Sequence, residues 1–593
     1  MMPRHQPPYR RPLRTLVMLG AMLAGAAAAP AAATAKVFNV AAGDVYGPRG
    51  LVAAITEANG NGQNNNIVLP PGSLYRLDRV DNDTVDVFGN SLGANGLPII
   101  TGRMAITTDN GFVTARTRQA TIERPDGAPP FRILYVSSTG VLRLANIVVR
   151  GGIGGGDLNA GGGLLNLGPS TILINSVVRN NAASAGAGIY NGGADAVLSL
   201  IGSEIRENTA ESTDFAGLHG GGGIYNDAGT VTIRDSAISR NGSPLARGGG
   251  IANVFEGTVT LVNSTVSYNG DGGGIFNSDS VLTISNSTIS RNHASGDGGG
   301  IYNTRGDSVL DLNNVTIAEN DAGDGFSGGG FFNTSLRVDI RNSLIAGNTI
   351  AGVPHASSAD CWGNIPSLGY NLLGDATGCN FVPATSDVVG VDPLLGPLQD
   401  NGGLTQTHAP GADVTNSPAI DGGNPAAPGS SSDACLATDQ RGFRRPIDGP
   451  DANTTATCDI GAFESGMRPV NDLLTGPGLT PDRLNTTPVP LNIAGCAEGF
   501  LTYRVPARYT NTSAGGAVLT ELVAEVVVLT NDNLLWNADG HPGGIKARLT
   551  FPRRGQFADG RLGPGESVDV PLVFCLRRNR SFAFVVNVFG IVR

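Results

Sequence analysis

Carboxylate and guanidinium side chains at matching positions of neighbouring repeats are the groups of this sequence that could perform acid–base chemistry. Asp311 and Asp339 occupy equivalent positions in adjacent repeat units, and Arg337 and Arg341 flank the second of them. Carboxylates held close together perturb each other's pKa, as general acid–base catalysis requires. These four residues are therefore the candidate catalytic set of a hydrolase or lyase acting on an acidic polysaccharide. The alternative, which we favour, is a surface salt-bridge patch.

A column of arginines is the second candidate for chemistry. Arg150, Arg179 and Arg206 occupy one outward position on three successive repeats. Stacked like charges repel each other unless an anion or a carboxylate compensates them. Glu204 and Glu207 are close enough in sequence to supply that compensation, which we favour, and a cleft for an acidic glycan is the other interpretation.

An aromatic stripe is the third candidate. One position of the repeat, directly before a recurring Asn, carries mostly aromatic residues, and it should point outward if the preceding Ile or Leu points inward. Aromatic faces spaced by ~4.8 Å could stack on sugar rings, or the rings could pack on each other or under loops. The candidate ligand-binding residues are Tyr190, Tyr225, Phe276, Tyr302 and Phe332.

Two alternating motifs position all of these residues. The first is a glycine run closing on Asn, as in GGGIYN at 298–303. The second alternates apolar and polar residues and also closes on Asn, as in VTLVNSTVSYN at 259–269. Its final Asn recurs every 23 to 33 residues, a spacing typical of a solenoid. That series is Asn181, Asn208, Asn241, Asn269, Asn292, Asn320 and Asn348.

The kind of solenoid follows from the local pattern. Short runs that alternate apolar and polar residues predict strands, and Gly, Asn and Asp between them favour tight bends. Stacked coils of such strands form a parallel β-helix. Its interior is predicted to hold Ile and Leu columns, and its recurring Asn residues to form hydrogen-bonded ladders. One such column is Ile233, Leu261, Ile284, Leu312 and Ile340.

The paired motifs resemble the GGAI and FxxN repeats of polymorphic outer-membrane proteins, and secreted right-handed β-helices generally. The resemblance covers roughly 140–350 and implies an all-β, right-handed parallel β-helix, with repeats at 141–350. Residues 36–140 are predicted to form the N-terminal cap and early coils. A short amphipathic helix at about 49–58 would cover the open end of the stack.

The start of the chain predicts export. Arginines precede an apolar run at 16–29, and Ala33-Thr34-Ala35 provides a small-residue cleavage site. Residues 1–35 are therefore predicted to be a signal peptide, and no other stretch approaches transmembrane length. The chain of 593 residues carries a net charge of −10, which disfavours nucleic acid as a partner. We expect a secreted or surface protein of a bacterium.

All six cysteines lie after the repeats, and an even number in an exported chain predicts disulfides. Proximity suggests Cys361 with Cys379, Cys435 with Cys458, and Cys496 with Cys575, among 15 pairings that six cysteines allow. No His and Cys spacing resembles a zinc site. No metal or cofactor is expected.

A different signature runs through 351–465. Its blocks include DPLLG at 392–396, DNGGLTQT at 400–407, SPAIDGG at 417–423 and DQRG at 439–442. They closely resemble the choice-of-anchor Q domain, which follows β-helices on bacterial exported and surface proteins. We expect a disulfide-stapled end of the β-helix in which Asp439, Arg441, Asp459 and Glu464 form buried or capping salt bridges. A catalytic role for this set is the alternative.

The last part of the chain is predicted to be separate. Residues 466–490 are rich in Pro, Gly and Thr and predict a linker. Alternating segments at 491–593 predict a β-sandwich. The whole chain therefore indicates an adhesin-like exported β-helix protein, without catalytic activity, that contacts glycan or extracellular matrix. The alternative function is a polysaccharide lyase or glycoside hydrolase.

Overall fold

The structure is a computed structural model of the chain. It describes residues 35–593 except for 86–90, 109–118, 158, 212–219, 245, 355, 411–416, 450–454, 477–488, 491–500, 531–532, 540–542 and 577–581. The predicted signal peptide therefore lies outside the described residues. No helix of the described ranges has the length and apolar character needed to cross a bilayer.

Three long parallel sheets run along the N-terminal two thirds of the described chain. Each coil contributes one strand to each sheet, and every strand pairs in parallel with its equivalents in the coils before and after it. This is a parallel β-helix, as the repeat predicted.

Sheet 1 has eleven described strands, all parallel. Their bounds are Lys36–Asn39, Asn64–Val68, Arg103–Thr107, Val141–Ala145, Ser170–Ile174, Val197–Ile201, Thr230–Arg234, Thr258–Val262, Val281–Ser285, Val309–Asn313 and Arg337–Arg341.

Sheet 2 has twelve described strands. Their bounds are Leu74–Arg76, Ala120–Glu123, Ile147–Arg150, Val177–Arg179, Glu204–Arg206, Ala237–Ser239, Thr265–Ser267, Thr288–Ser290, Thr316–Ala318, Leu344–Ala346, Leu372–Leu373 and Val388–Val389.

Sheet 3 has ten described strands. Their bounds are Leu134–Val136, Leu164–Asn166, Ile189–Gly192, Ile224–Asp227, Ile251–Val254, Ile275–Ser278, Ile301–Thr304, Phe331–Asn333, Cys361–Pro366 and Cys379–Val382. Short accessory strands at the turns are Asn82–Val85, Ser91–Asn95, Ala182–Ala183, Thr209–Ala210, Asp321–Ala322, Thr349–Ile350 and Val353–Pro354.

The interior of the coils is filled by columns of aliphatic side chains. Ile233, Leu261, Ile284, Leu312 and Ile340 are register partners on five successive strands, and none is more than 1% exposed. The predicted inward column is confirmed. Burying each such side chain contributes about 1.5–3 kcal/mol.

An α-helix, α1 (Leu51–Gly60), closes the first coil. Its buried face is formed by Leu51, Ala54, Ile55 and Ala58, which belong to the same core as the interior columns of the sheets. The helix packs against the second and third strands of sheet 1, Asn64–Val68 and Arg103–Thr107. The helix predicted at about 49–58 is confirmed.

Residues 501–593 form two antiparallel sheets around a second core that contains Tyr509, Phe551 and Phe574. This is the predicted β-sandwich. Three short strands from the segment predicted as a linker add to its sheets: Arg468–Pro469, Leu474–Thr475 and Val489–Pro490. The other strands are Leu501–Asn511, Leu519–Leu529, Leu534–Leu535, Arg548–Thr550, Arg561–Leu562, Ser567–Leu576 and Phe584–Val592, and the 3-10 turns are Asn471–Leu473 and Gly555–Phe557.

The segment 395–465, here called the strap, does not continue the stack of coils. It runs back along the outer face of sheet 2 and covers the coils from Thr265 onward. The predicted domain boundaries themselves stay predictions.

Candidate functional site

The predicted acidic pair lies on the outer face of sheet 1. Asp311 and Asp339 are register partners, in a column whose preceding members are Thr residues. Arg341 Nη1 donates to Asp311 Oδ1 at 2.7 Å, and Arg341 Nε donates to the carbonyl of Ser432 in the strap at 2.7 Å. This geometry ties the strap to sheet 1.

Asp339 and Arg337 are exposed. The structure thus brings the four candidate residues to one surface, where Asp311 and Arg341 are engaged with each other. The arrangement matches an interstrand salt bridge under the strap more closely than a pair of carboxylates facing a substrate.

The predicted aromatic stripe lies outside sheet 3 and forms stacks along the axis. Phe276 and Tyr302 have ring centroids 5.6 Å apart, and Tyr302 and Phe332 are 4.7 Å apart. Tyr190 stacks on Tyr225 at 5.5 Å in the same column. Each ring therefore stacks on a neighbouring ring. This is the second interpretation given above, in which the rings pack on each other instead of on a sugar.

Burial supports that interpretation. Tyr190, Tyr225, Phe276 and Phe332 are all less than 9% exposed, and burial raises the pKa of both tyrosines. The guanidinium of Arg247 lies 3.9 Å from the ring centroid of Tyr302.

One ring of this stack was missed by the sequence analysis. Trp362 stacks on Phe332 at 4.5 Å and is 37% exposed. It is the register partner of Phe332, but it precedes Gly363 rather than an Asn, so the motif did not reveal it. Counting one further repeat beyond Phe332 in the sequence would have pointed to an aromatic residue at this position.

The recurring Asn residues form a buried ladder. Nδ2 of each Asn donates to Oδ1 of the next at 2.8–3.0 Å, and most of these Oδ1 atoms also accept the backbone N–H of the preceding Asn. The members are Asn181, Asn208, Asn241, Asn269, Asn292, Asn320 and Asn348. The ladder ends on the carboxylate of Asp360, a residue that the sequence analysis did not include.

The glycine motif supplies a second buried ladder. Side-chain amides bond from coil to coil at 2.6–2.9 Å, which satisfies polar groups at a second turn. Its members are Asn166, Asn191, Asn226, Asn253, Asn277, Asn303 and Asn333. Both ladders are structural, because their polar atoms face each other and the backbone.

The strap is bonded to sheet 2 by polar side chains from both partners. Gln440 Nε2 donates to Thr265 Oγ1 at 2.9 Å, and Gln440 Oε1 accepts from Thr288 Oγ1 at 2.6 Å. The imidazole Nε2 of His408 lies 2.8 Å from Ser290 Oγ. Gln440, His408 and the Thr and Ser partners are all less than 9% exposed, so this half of the outer face is sealed.

The charged residues of the strap form buried ion pairs. Arg441 Nε lies 2.8 Å from Asp439 Oδ2, and Arg445 Nη1 lies 2.7 Å from Glu464 Oε2, with all four side chains at most 1% exposed. Burial raises the pKa of Glu464 to about 8 and that of Asp459 to about 6. Their neighbours are protein groups, which fits the salt-bridge interpretation of this block.

Four of the six cysteines pair as suggested from sequence. Cys361 bonds to Cys379 and Cys435 to Cys458. Cys575 is also disulfide-bonded, and its predicted partner Cys496 lies outside the described residues. Within the described ranges no three His, Cys, Asp or Glu side chains gather as metal ligands would.

Among the described residues, the strap does not reach the outer face of sheet 2 in the coils before Thr265. Arg150, Arg179 and Arg206 are register partners there, as predicted, and Glu123 precedes them in the same column. Glu123 pairs with Arg150. The two glutamates proposed as compensation both pair with the last arginine, Arg206.

A cavity of 220 Å³ lies beside this column. Its lining is mainly polar and includes Gln119, Asn175, Glu204 and Arg206, with Val177 as an apolar member. Such a surface offers several hydrogen-bond donors and acceptors to a ligand rich in hydroxyl groups.

A larger cavity of 590 Å³ separates the strap from the sandwich. The charged groups that line it are paired, Arg593 with Asp448 and Arg468 with Asp472. Among the described residues that line it, no charge is therefore left uncompensated. The opening on sheet 2 is the stronger candidate site.

No protein-family model matches the chain, and no curated protein matches it. Among solved structures, it is similar to pectate lyase Pel9A at 14% identity and a TM-score of 0.39, covering 73% of this chain and 98% of that one. It is also similar to the enzymatically active domain of tailspike protein 4 of bacteriophage CBA120, at 11% identity and a TM-score of 0.25, covering 91% and 64%.

A third similar structure is a tailspike protein variant of E. coli bacteriophage HK620 in complex with a pentasaccharide, at 13% identity and a TM-score of 0.24, covering 89% of each chain. Similarities at these TM-scores carry no functional argument. The strand pairing itself defines the class: an all-β parallel β-helix protein with a β-sandwich.

Proposed function

We propose that this chain is an exported bacterial protein, released or held at the cell surface, that contacts glycan or extracellular matrix without cleaving it. The predicted leader and the resemblance to polymorphic outer-membrane repeats and to the choice-of-anchor Q domain support export. The observation that carries glycan contact is the polar cavity of 220 Å³ on the half of sheet 2 that the strap does not reach.

The absence of cleavage is supported by how the acidic candidates are used. Asp311 is bonded to Arg341, which is itself fixed by Ser432, and the strap carboxylates are buried against arginines. A lyase or hydrolase would need a carboxylate or a base that meets substrate. The rival function therefore rests on the exposed Asp339 and Arg337, and on Asp311 and Arg341 leaving their ion pair around a sugar.

The test is to apply the purified full-length protein to neutral and acidic polysaccharides. Retention on affinity gels, new reducing ends and unsaturated uronate absorbance would be measured together. We expect retention without product. Product formation that is lost in Asp311→Asn or Asp339→Asn would establish the enzyme instead. If the protein is neither retained on any polysaccharide nor forms product, the proposal of glycan contact is overturned.

A further inference from the structure

The arginine column on sheet 2 carries an uneven charge balance. Arg76, Glu123, Arg150, Arg179 and Arg206 follow one another as register partners. Neighbouring strands of a sheet are ~4.8 Å apart, so side chains of one column are in reach of each other. Only one carboxylate, Glu123, belongs to the column.

That carboxylate serves two arginines. Glu123 Oε1 lies 3.0 Å from Arg76 Nε, and Glu123 Oε2 pairs with Arg150. At the other end, Arg206 Nη1 lies 2.6 Å from Glu207 and Arg206 Nε lies 3.5 Å from Glu204. Both ends of the column are therefore compensated.

Arg179 stands between these compensated ends. Its guanidinium donates to Asn180 Oδ1 at 3.0 Å, and no carboxylate of the described residues lies within ion-pair distance of it. Burial lowers its pKa, as do the adjacent charges of Arg206 and Arg150, and the more weakly acting Glu207 and Glu123 oppose this shift. A bound anion would relieve this repulsion, because opposite charge at short range stabilises the charged form.

The residues around Arg179 indicate what kind of molecule should bear that anionic group. Val177, two residues earlier on the same strand, and Arg206, the next member of the column, both line the cavity. Gln119, Asn175 and Glu204 add amide and carboxylate groups that can bond hydroxyls. Arg179, which has no carboxylate partner among the described residues, therefore adjoins two residues that line a polar cavity.

We infer that Arg179 binds the anionic group, a carboxylate or a sulfate ester, of one sugar residue in an acidic polysaccharide, and that the adjacent cavity receives hydroxyl groups of the same chain. This rests on the proposed glycan contact and adds the class of glycan. Guanidinium suits either group, since its planar donors bond two oxygens at once.

The test compares Arg179→Gln with the unchanged protein. Binding is measured against polygalacturonate, a sulfated galactan and a neutral xylan at two salt concentrations. We expect Arg179→Gln to weaken binding to an acidic polymer by about tenfold or more, because a charge-assisted bond is lost. Binding to the neutral polymer should be unchanged, and Arg179→Lys should restore part of the affinity.

Arg143→Gln is the matched control, because this arginine is half-buried like Arg179 but lies on sheet 1. It should leave binding to every polymer within about twofold. The two acidic polymers distinguish a carboxylate from a sulfate as the bound group. Thermal unfolding provides a second measurement: Arg179→Gln should unfold at the same or a higher temperature, because it removes like-charge repulsion.

The failures are distinguishable. Equal binding of Arg179→Gln and the unchanged protein to acidic polymers would overturn the inference and leave glycan contact standing. Retention of the unchanged protein on the neutral polymer alone would also overturn the inference and leave glycan contact standing. No retention on any polymer would overturn both.

Discussion

Single residues at the ends of repeating networks decide how those networks close. Asp360 ends the Asn ladder: its Oδ1 accepts Nδ2 of Asn348 at 2.8 Å and the Asn348 N–H at 3.0 Å. Its Oδ2 accepts the N–H of Asp375 at 2.8 Å. Both oxygens act as acceptors, which an Asn cannot reproduce.

Asp360→Asn should therefore destabilise the protein. Its amide NH₂ would face one of these N–H donors, leaving a buried donor unsatisfied at a cost of about 1–3 kcal/mol. Urea unfolding would measure the loss, with the exposed Asp307→Asn as the control. An unfolding midpoint equal to that of the control would show that the ladder does not need a carboxylate at its end.

His408 predicts a pH dependence of the strap. Its Nδ1 lies 2.7 Å from the carbonyl of Gly396 and its Nε2 2.8 Å from Ser290 Oγ, so the neutral ring fits one donor and one acceptor. Burial lowers its pKa, and the charge of Arg291 lowers it further. The carboxylate of Glu319, 4.0 Å away, raises the pKa and so opposes both. A pKa lowered by folding gives stability that is full above the unfolded pKa, about 6.5, and lost as the pH falls below it.

The measurement is the unfolding free energy at pH 7.5 and 5.0 for the unchanged protein and His408→Gln. We expect the unchanged protein to lose more stability on acidification than the variant. Asp459 and Glu464, whose pKa values are raised, act in the opposite direction, but both proteins contain them. Equal losses would mean that His408 takes up no proton on unfolding in this range.

At the scale of single residues, the sequence predicted which side chains share an outward column better than it predicted which of them form ion pairs. The period of two along each strand identifies which side chains face outward, so the column of Arg150, Arg179 and Arg206 could be predicted. It does not identify which arginine each glutamate contacts, because sequence spacing does not determine the side-chain conformations of Glu204 and Glu207. Only the side-chain geometry shows that both contact Arg206 and that neither pairs with Arg179.

At the scale of elements, the strap was the feature that sequence could not position. The motif blocks at 400–407 and 439–442 predicted an irregular, disulfide-stapled region, and the disulfides are present. Its docking depends on contacts with residues far away in sequence, such as Gln440 with Thr265. Local sequence patterns contain no information about such distant pairs. The pairing of the coils could be predicted because each coil repeats the motif of the coil next to it.

The disulfide between Cys435 and Cys458 should hold the strap in place. It closes a segment of 23 residues, next to Asn314, which bonds the strap. The double variant Cys435→Ser/Cys458→Ser should lose about 3 kcal/mol, because the unfolded chain gains freedom. Limited proteolysis should then cut within 395–465 faster than in the unchanged protein.

Cys361→Ser/Cys379→Ser is the matched control. This disulfide closes 18 residues at the end of the coil stack, outside the strap. Its loss should cost a similar free energy but leave the strap's protease resistance largely intact. Equal cleavage of the strap in both variants would show that the Cys435 bond has no local role.

At the scale of the whole described molecule, the strap also joins the β-helix to the sandwich. Glu525 is fully buried and accepts the N–H of Gly403 at 3.1 Å, Arg548 at 2.8 Å and Lys546 at 3.0 Å. Gly403 has a φ of +80°, and a Cβ there would meet the Cα of Arg441 at 2.8 Å. The glycine pair of the DNGG block thus allows a close approach.

Glu525→Gln should destabilise the sandwich side of this junction by about 3 kcal/mol, because Arg548 loses its buried partner and Lys546 keeps only Asp400. We expect calorimetry to separate one unfolding transition into two, as the sandwich unfolds apart from the β-helix. Asp569→Asn, which alters an exposed ion pair of the sandwich with Arg508, is the control and should keep a single transition. One transition in both variants would assign the coupling to apolar contacts such as Phe443 with Phe589.

The position of the strap also determines the order in which the structure can assemble in time. Each coil of the ladder needs only the preceding 23 to 33 residues, so coils can stack while the chain is being made. The strap instead bonds Thr265 from positions 141 and 175 residues later. Contacts of such long sequence separation form late. Half of sheet 2 therefore has no strap to cover it until the chain has been synthesised beyond residue 440.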